Sequence, residues 1–235
     1  MRDIEKAIEK EREYISHRMK NEEPFHFVDA VKECGFESIE QYFTEKKNYE
    51  FSRLNFAFAT VQPSEAVAEI FRMMTEKETK VLFVPSTETF VYSGDGKAFD
   101  EEYCKENNIP IYPLNTGGGT IVSTNGDFGL IICYPESVGA DVQFILDKVK
   151  SILGGYIANV EVNGNDILLN GKKICGAVMY RQNGMNCFGA HFSFNDNSVL
   201  IEKICGVSES VKLPTFISGL TTEIFKRAVR VWLKL

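Results

Sequence analysis

The chain contains one tryptophan, three histidines and no apolar stretch of membrane-spanning length in its 235 residues. A transmembrane helix needs about 20 apolar residues in succession, and the run Phe128 to Tyr134 falls far short of that. The opening residues Met1-Arg2-Asp3-Ile4-Glu5 lead into no apolar segment of the secretory kind, so a cytoplasmic protein with no membrane association is expected. Positive charge is in deficit: 26 Lys and Arg stand against 33 Asp and Glu, a formal net charge of -7. That balance argues against nucleic-acid binding, which wants a broad basic face. The six cysteines, at 34, 104, 133, 175, 187 and 205, include no C-x-x-C pair. His17, His26 and His191 are scattered, so no metal centre is expected, and free thiols in a reducing compartment are. Neither G-x-x-x-x-G-K-[ST] nor a helix-opening G-x-G-x-x-G occurs, which removes the usual nucleotide loops.

What is present is an ordinary globular composition, 44% hydrophobic and 25% charged. The first fifty residues read as helical. Ile4, Ile8, Ile15 and Met19 fall near one face of a segment from Asp3 to Lys20. Phe27 to Cys34 forms a second helix stopped by Gly35. Ser38 and Gln41 have the spacing of a capping box that opens a third, to about Lys47. We read residues 1–50 as a helical appendage and 51–235 as the main domain.

In the main domain, Val67, Ile70, Phe71 and Met74 make an i, i+3, i+4, i+7 stripe after Pro63, a core-packing pattern. Strand-like runs follow at Val81–Val84, Thr89–Tyr92, Ile109–Tyr112, Ile121–Ser123 and Gly129–Tyr134, with helices near 100–107 and 140–153. Asn163-Gly164, Asn170-Gly171 and Asn183-Gly184 then separate four β-rich runs, Val160–Val162, Ile167–Leu169, Ile174–Arg181 and Asn186–Phe194. Such dipeptides favour tight hairpins, so these runs are expected to form an antiparallel meander. A helix near 222–233 closes the chain. The order of elements predicts an α+β fold with a mixed, largely antiparallel sheet flanked by helices, not a doubly wound parallel sheet.

Two motifs carry chemistry. Asn115-Thr116-Gly117-Gly118-Gly119-Thr120 leaves a strand, and its glycines let backbone N–H groups approach an anion. By itself such a run is equally a flexible loop. Downstream, Asn165-Asp166-Ile167 is followed by Gly171-Lys172-Lys173-Ile174-Cys175-Gly176. Gly176 inside a β run costs strand stability and points to close approach by a ligand or another backbone. A lysine held beside it can neutralise phosphate or carboxylate.

A glycine-triplet loop, a strand, a helix, an Asn-Asp-Ile hairpin and a Gly-Lys-Lys-Ile-x-Gly strand, in that order, resemble the biotin/lipoyl protein ligase family. Within it they resemble the lipoate–protein ligases and their octanoyltransferase relatives, over roughly Val81 to Gly206. The resemblance implies a class II synthetase-like catalytic domain. It also implies transfer of lipoate or octanoate to a lysine on a lipoyl carrier domain, such as that of a 2-oxoacid dehydrogenase or a glycine cleavage protein. In the ligases this goes through an acyl-adenylate made with ATP and Mg2+. Thr116, Gly117, Gly118, Gly119 and Thr120 would then line the acyl and adenylate pocket, with Asn165, Asp166 and Gly176 facing the adenylate. Lys173 matches the family's signature lysine and would contact the carboxylate and α-phosphate.

The sequence departs from the family at two places. Pro113 and Leu114 occupy the positions where two arginines are usual, and Val122-Ser123 stand near the usual tyrosine–histidine. Lys172, Arg181 and Lys203 are the candidate replacement cations. The chain's end at Leu235, where many ligases continue, implies a separate accessory subunit or a task short of full ligation. The transferase branch of the family works through a cysteine thioester without ATP, and Cys205-Gly206 resembles its cysteine–glycine site. A third reading is a relative that binds lipoate, nucleotide or a lipoyl domain without catalysis. Cys175, two residues from Lys173, would share its strand face in regular β geometry. His191, among Phe188, Phe192 and Phe194, reads as a hydrogen-bonded histidine at the sheet edge of the core rather than a base.

Overall fold

The computed structural model describes residues 2–19, 27–94, 99–117, 119–206 and 221–234, which divide into two compact units, Met1–Leu54 and Asn55–Leu235. The first unit is helical: α1 (Ile4–Met19), α2 (Phe27–Glu33) and α3 (Ile39–Ser52). Gly35 takes a left-handed conformation just beyond α2, and Ser38 caps α3 by accepting from the Gln41 N–H. Ala7, Ile8, Phe27, Val31, Cys34, Phe36 and Tyr42 form its core, and the Tyr42 hydroxyl donates to Glu11. Ile15, expected on the buried stripe, is half exposed.

The second unit runs β1 (Ala57–Thr60), α4 (Pro63–Glu76), β2 (Lys80–Pro85), β3 (Phe90–Ser93), α5 (Glu101–Glu106), β4 (Ile111–Pro113), β5 (Ile121–Ser123), β6 (Phe128–Pro135), α6 (Val142–Gly154), β7 (Val160–Asn163), β8 (Asp166–Leu169), β9 (Lys172–Gln182), β10 (Met185–Phe192), α7 (Ser198–Cys205) and α8 (Thr222–Trp232). Seven strands form one sheet in the order β1-β2-β6-β10-β9-β8-β7, parallel only at β1–β2 and antiparallel elsewhere. Strands β4-β3-β5 form a smaller sheet. This is the expected α+β architecture, with the meander β7 to β10 built on tight turns.

Asn170-Gly171 and Asn183-Gly184 turn with positive φ at both residues, which suits the right-handed twist of the flanking strands. The third turn differs by one residue. Asn163 pairs with Asp166, so its loop is Gly164-Asn165, and Gly164 alone there has positive φ.

Side chains on the two faces of the large sheet go to different partners. On one face, Leu82, Val84, Ile131, Cys133, Met185 and Cys187 pack against Ala66, Ile70, Met73 and Met74 of α4 and against Phe90 and Tyr92 of the small sheet. On the other, Phe225 of α8 packs on Phe128 and Phe192, with ring centroids 5.8 and 4.8 Å away, and α6 contacts α8. Strand β1 and helix α7 were not read from the sequence. β1 is only four residues long and β1's pairing with β2 is non-local. The α7 segment was read instead as a cysteine–glycine site.

Candidate functional site

Directly opposite residues of neighbouring strands share a face. The registers Asp166↔Gly176, Gly176↔His191, His191↔Gly129 and Gly129↔Val84 therefore define one row across β8, β9, β10, β6 and β2. Val84 packs in the α4 cluster, so the row lies on the face that carries α4 and the small sheet. Gly189, two residues before His191, lies on the same face opposite Val178. Glycines at 129, 176 and 189 leave gaps on this face, over which Val84, the end of Lys173 and Val178 lean.

Lys173 reaches the row through a β-bulge. The register between β8 and β9 slips between Ile167 and Leu168: Ile167 pairs with Cys175 and Leu168 with Lys173, leaving Ile174 as the extra residue. Bulges re-aim side chains. Lys173 Nζ accordingly lies over Gly176, where an added β-carbon would stand 2.9 Å from it, and donates to Asp166 Oδ1 at 2.7 Å. Both side chains are about two-fifths exposed, at 40% and 38%. The pair is therefore open to solvent and contributes little stability of its own. Cys175 lies on the opposite face with Ile167 and Phe192, buried, and burial pushes its thiol up. The shared face expected from strict alternation is undone by the bulge.

The same geometry sorts the candidate replacement cations. Lys172 pairs with Leu169, one step out of phase with Lys173, and Arg181 pairs with Asn186, on the α6–α8 side. Lys203 lies on α7, exposed. Leu114 is buried in the largely apolar α4 cluster, and Pro113 ends β4.

His191, on the row, meets buried polar groups that the sequence does not single out. His191 Nε2 lies 2.8 Å from Ser123 Oγ, which lies 2.5 Å from Ser86 Oγ, and both serines are buried. Burial lowers the imidazole pKa, the Lys173 ammonium adds to that, and Asp127 opposes it. Asp127 is itself buried and accepts five hydrogen bonds: from the Thr124 N–H and hydroxyl, the Asn197 amide, and the Phe194 and Asn195 N–H groups. It ties the turn before β6 to the segment after β10. No local sequence signal marks this cluster; only the strand register assembles it.

The glycine loop joins the site through β5. An extended chain advances about 3.4 Å per residue, which puts Gly119 within about 14 Å of Ser123. Gly117 has φ +77° with open space where a β-carbon would be, a conformation suited to glycine. Thr116 is buried, Gly119 and Thr120 are partly exposed, and Gly118 lies outside the described residues. Asn165 sits in the exposed hairpin loop, where its carbonyl accepts from the Ala177 N–H and brings the hairpin over β9. Cys205 ends α7 and packs beside Val91, Cys104, Val122 and Ile204. The eight-residue helix puts it roughly 12 Å along the axis from Asn197. The expected site residues thus fall into two places: Asp166, Lys173 and Gly176 in the row, with the glycine loop leading into it, and Cys205 behind the small sheet. Among the described residues no group of three or more His, Cys, Asp or Glu is placed to hold a metal ion. No helix there is long and apolar enough to cross a membrane.

An ammonium, a carboxylate and a hydroxyl-bonded imidazole on one sheet face suit a small anionic ligand. Comparisons with known proteins concern the family and the fold. The model of the lipoyl protein ligase A/B catalytic domain matches residues 66–219. A lipoate–protein ligase of Streptococcus pyogenes serotype M5 (strain Manfredo) is 34% identical over 90 residues, covering 36% of this chain and 26% of that protein. Among solved structures, P. falciparum LipL1 in complex with lipoate has a TM-score of 0.65 at 12% identity, over 75% of this chain and 60% of that one. Lipoate–protein ligase A bound with ATP has a TM-score of 0.61 at 14% identity, over 76% and 83%. A bi-partite lipoate protein ligase from Thermoplasma acidophilum, studied with its E2 lipoyl domain, gives 0.60 at 14%, over 77% and 82%. At these identities the structural likeness speaks for the fold alone. This chain spans about a quarter of the curated relative's length and 60% of LipL1.

Proposed function

Because the chain belongs to the lipoyl protein ligase A/B catalytic domain family, we propose that it activates lipoate, or a medium-chain acid such as octanoate, with ATP and passes the acyl group to a lysine of a lipoyl carrier domain. The single observation that carries this reading is the Lys173 ammonium laid over Gly176 beside Asp166.

In this reading a carboxylate oxygen of the acid attacks the α-phosphorus of ATP, and pyrophosphate leaves. The transition state gathers negative charge between two anions, and the Lys173 ammonium, held over Gly176 beside Asp166, is placed to stabilise it. The carrier's lysine amine, as the free base, then attacks the carbonyl carbon. AMP leaves and the amine proton is lost. Backbone N–H groups of the loop at Gly117, Gly118 and Gly119 would cradle the phosphate, and Thr116 and Thr120 flank them. Asn165 and Asp166 would face the adenylate. The apolar tail would run from Gly176 along β9, over Gly189 and Val178 towards Tyr180, whose ring meets Phe71 of α4 at 6.0 Å. Mg2+ would enter on the nucleotide phosphates, since Mg2+ sites commonly draw only one or two carboxylates from the protein, and Asp166 is the carboxylate on the row.

The carrier is, in this proposal, the lipoyl domain of a 2-oxoacid dehydrogenase or glycine cleavage protein in the cytosol, with a separate accessory subunit as a further partner. The catalytic unit in this reading is residues 55–235.

The test is lipoate-dependent ATP–pyrophosphate exchange by the full chain. We expect exchange in the wild type and a loss of at least a hundredfold in Lys173→Ala. Carrier octanoylation without ATP, abolished in Cys205→Ala, would replace this reading with thioester transfer. Ligand binding with neither activity would leave a binding protein.

A further inference from the structure

One group on the row has no part in the chemistry above. His191 has glycine as its cross-strand neighbour on both sides, Gly176 and Gly129, so no flanking β-carbon covers its ring. Neighbouring strands lie about 4.8 Å apart, which puts the imidazole one strand from the floor beneath the Lys173 ammonium. Its Nε2 is engaged by Ser123, and Ser123 by Ser86. Ser86 is pinned by its backbone, donating to the Asp127 carbonyl at 3.0 Å and accepting from the Gly126 N–H at 2.8 Å. The ring is partly exposed, and its Nδ1 has no hydrogen-bond partner among the described residues.

An imidazole bonded at one nitrogen and open at the other has its tautomer set by the bonded side. If the Ser123 hydroxyl accepts from Ser86 and donates to Nε2, the ring proton resides on Nδ1, the nitrogen without a partner among the described residues. The other tautomer would turn a lone pair towards any anion held by Lys173. We propose that His191 is a ligand-binding residue, a neutral imidazole kept in the Nδ1–H form by the Ser86–Ser123 hydroxyl pair, which donates to the carboxylate or α-phosphate oxygen that Lys173 neutralises.

The inference rests on the acid- and ATP-binding reading above and adds a recognition group to it. It also accounts for the composition of the row. Pro113 and Leu114 bring no cation, and a neutral donor takes up part of the anion's hydrogen bonding while costing less to desolvate than a second ammonium. Burial and the neighbouring Lys173 both favour the neutral ring against the pull of Asp127.

The experiment combines nitrogen-15 spectra of the imidazoles with calorimetry of lipoate and ATP binding, on the full chain. His191→Asn and His191→Gln both identify the His191 signal and separate its two nitrogens. An Asn amide mimics Nδ1, and a Gln amide mimics Nε2 and keeps the Ser123 bond. We expect the Nδ1–H tautomer in the wild type, a mixture of tautomers in Ser123→Ala, and a shifted Nδ1 signal on ligand addition. Binding should weaken about tenfold in His191→Gln, the worth of one hydrogen bond to a charged group, and recover to within about threefold in His191→Asn. An Nε2–H tautomer, or Gln binding as tightly as wild type while Asn does not, overturns the proposal and assigns His191 a packing role. If the wild type binds neither lipoate nor ATP, the function proposed above fails and the ligand named here falls with it. If it binds both and every His191 variant does too, only this inference fails.

Discussion

Lys173 lies across its own strand because residue 176 has no side chain. A β-carbon there would stand 2.9 Å from Nζ and 3.0 Å from Cε, so the lysine end would have to move away from Asp166. The moving atoms are the flexible tip of an exposed side chain, and Gly176 has no left-handed backbone to protect. Gly176→Ala should therefore leave stability within about 1 kcal/mol of wild type, since alanine is no worse than glycine in a strand. It should weaken ATP binding about tenfold, read by calorimetry beside a denaturant melt. His191 adds a pH signature. Its folded pKa lies below the ordinary 6.5, so the unfolded chain takes up the proton more readily. The stability this contributes is complete above about pH 6.5 and drains away as pH falls through the folded value. The groups facing the ring are Ser123 from β5, Lys173 and its partner Asp166 from the hairpin, and Asp127 from the turn before β6. His191→Gln should flatten that acid limb of the stability curve; an unchanged limb would place the titration elsewhere. Val122-Ser123 stand where a tyrosine–histidine was expected from the family, and the imidazole at Ser123 comes from β10 instead.

At the scale of elements, two devices hold the row in register. One is the Asp127 carboxyl, which gathers five donors from the turn before β6, the end of β10 and the cap of α7. Asp127→Ala removes all five bonds and strands the buried Asn197 amide, and should cost about 3 kcal/mol, measured by chemical denaturation. Weakened ligand binding should accompany the loss, since Ser86 hangs on the same turn. The other device is α8. Phe225 is fully buried between Phe128 and Phe192, so Phe225→Ala should cost about 3–5 kcal/mol through lost burial and a residual cavity. A loss below about 1 kcal/mol would mean that α8 does not close this face.

For the whole molecule, the two units have separate apolar clusters. Ala7, Phe27 and Tyr42 belong to one in the first unit, and Ile70, Leu82 and Ile131 to one in the second. Residues 55–235 expressed alone should thus unfold cooperatively and bind lipoate within about threefold of the full chain. A truncated chain that aggregates or lacks a sigmoidal melt would show that the helical unit is part of the fold's stability.

The meander from Val160 to Phe192, the stripe of α4 and the Ser38 cap were legible in the residues because hairpin turns, helix periodicity and caps are local codes. So was the motif set that resembles the ligases, Gly117 to Gly119 and Asn165 to Gly176, because its residues lie in short contiguous runs. What stayed hidden depends on pairing between distant segments. The bulge at Ile174 reverses the face of Lys173 relative to Cys175, and no dipeptide announces it. β1 needs β2 to exist as a strand, and Ser123 meets His191 only because the small sheet leans on the large one. Sequence alone determined the kinds of groups available to the site and the order of the elements that carry them. The tertiary structure decided which groups share a face, because a one-residue shift in strand register moves a side chain from one side of the sheet to the other.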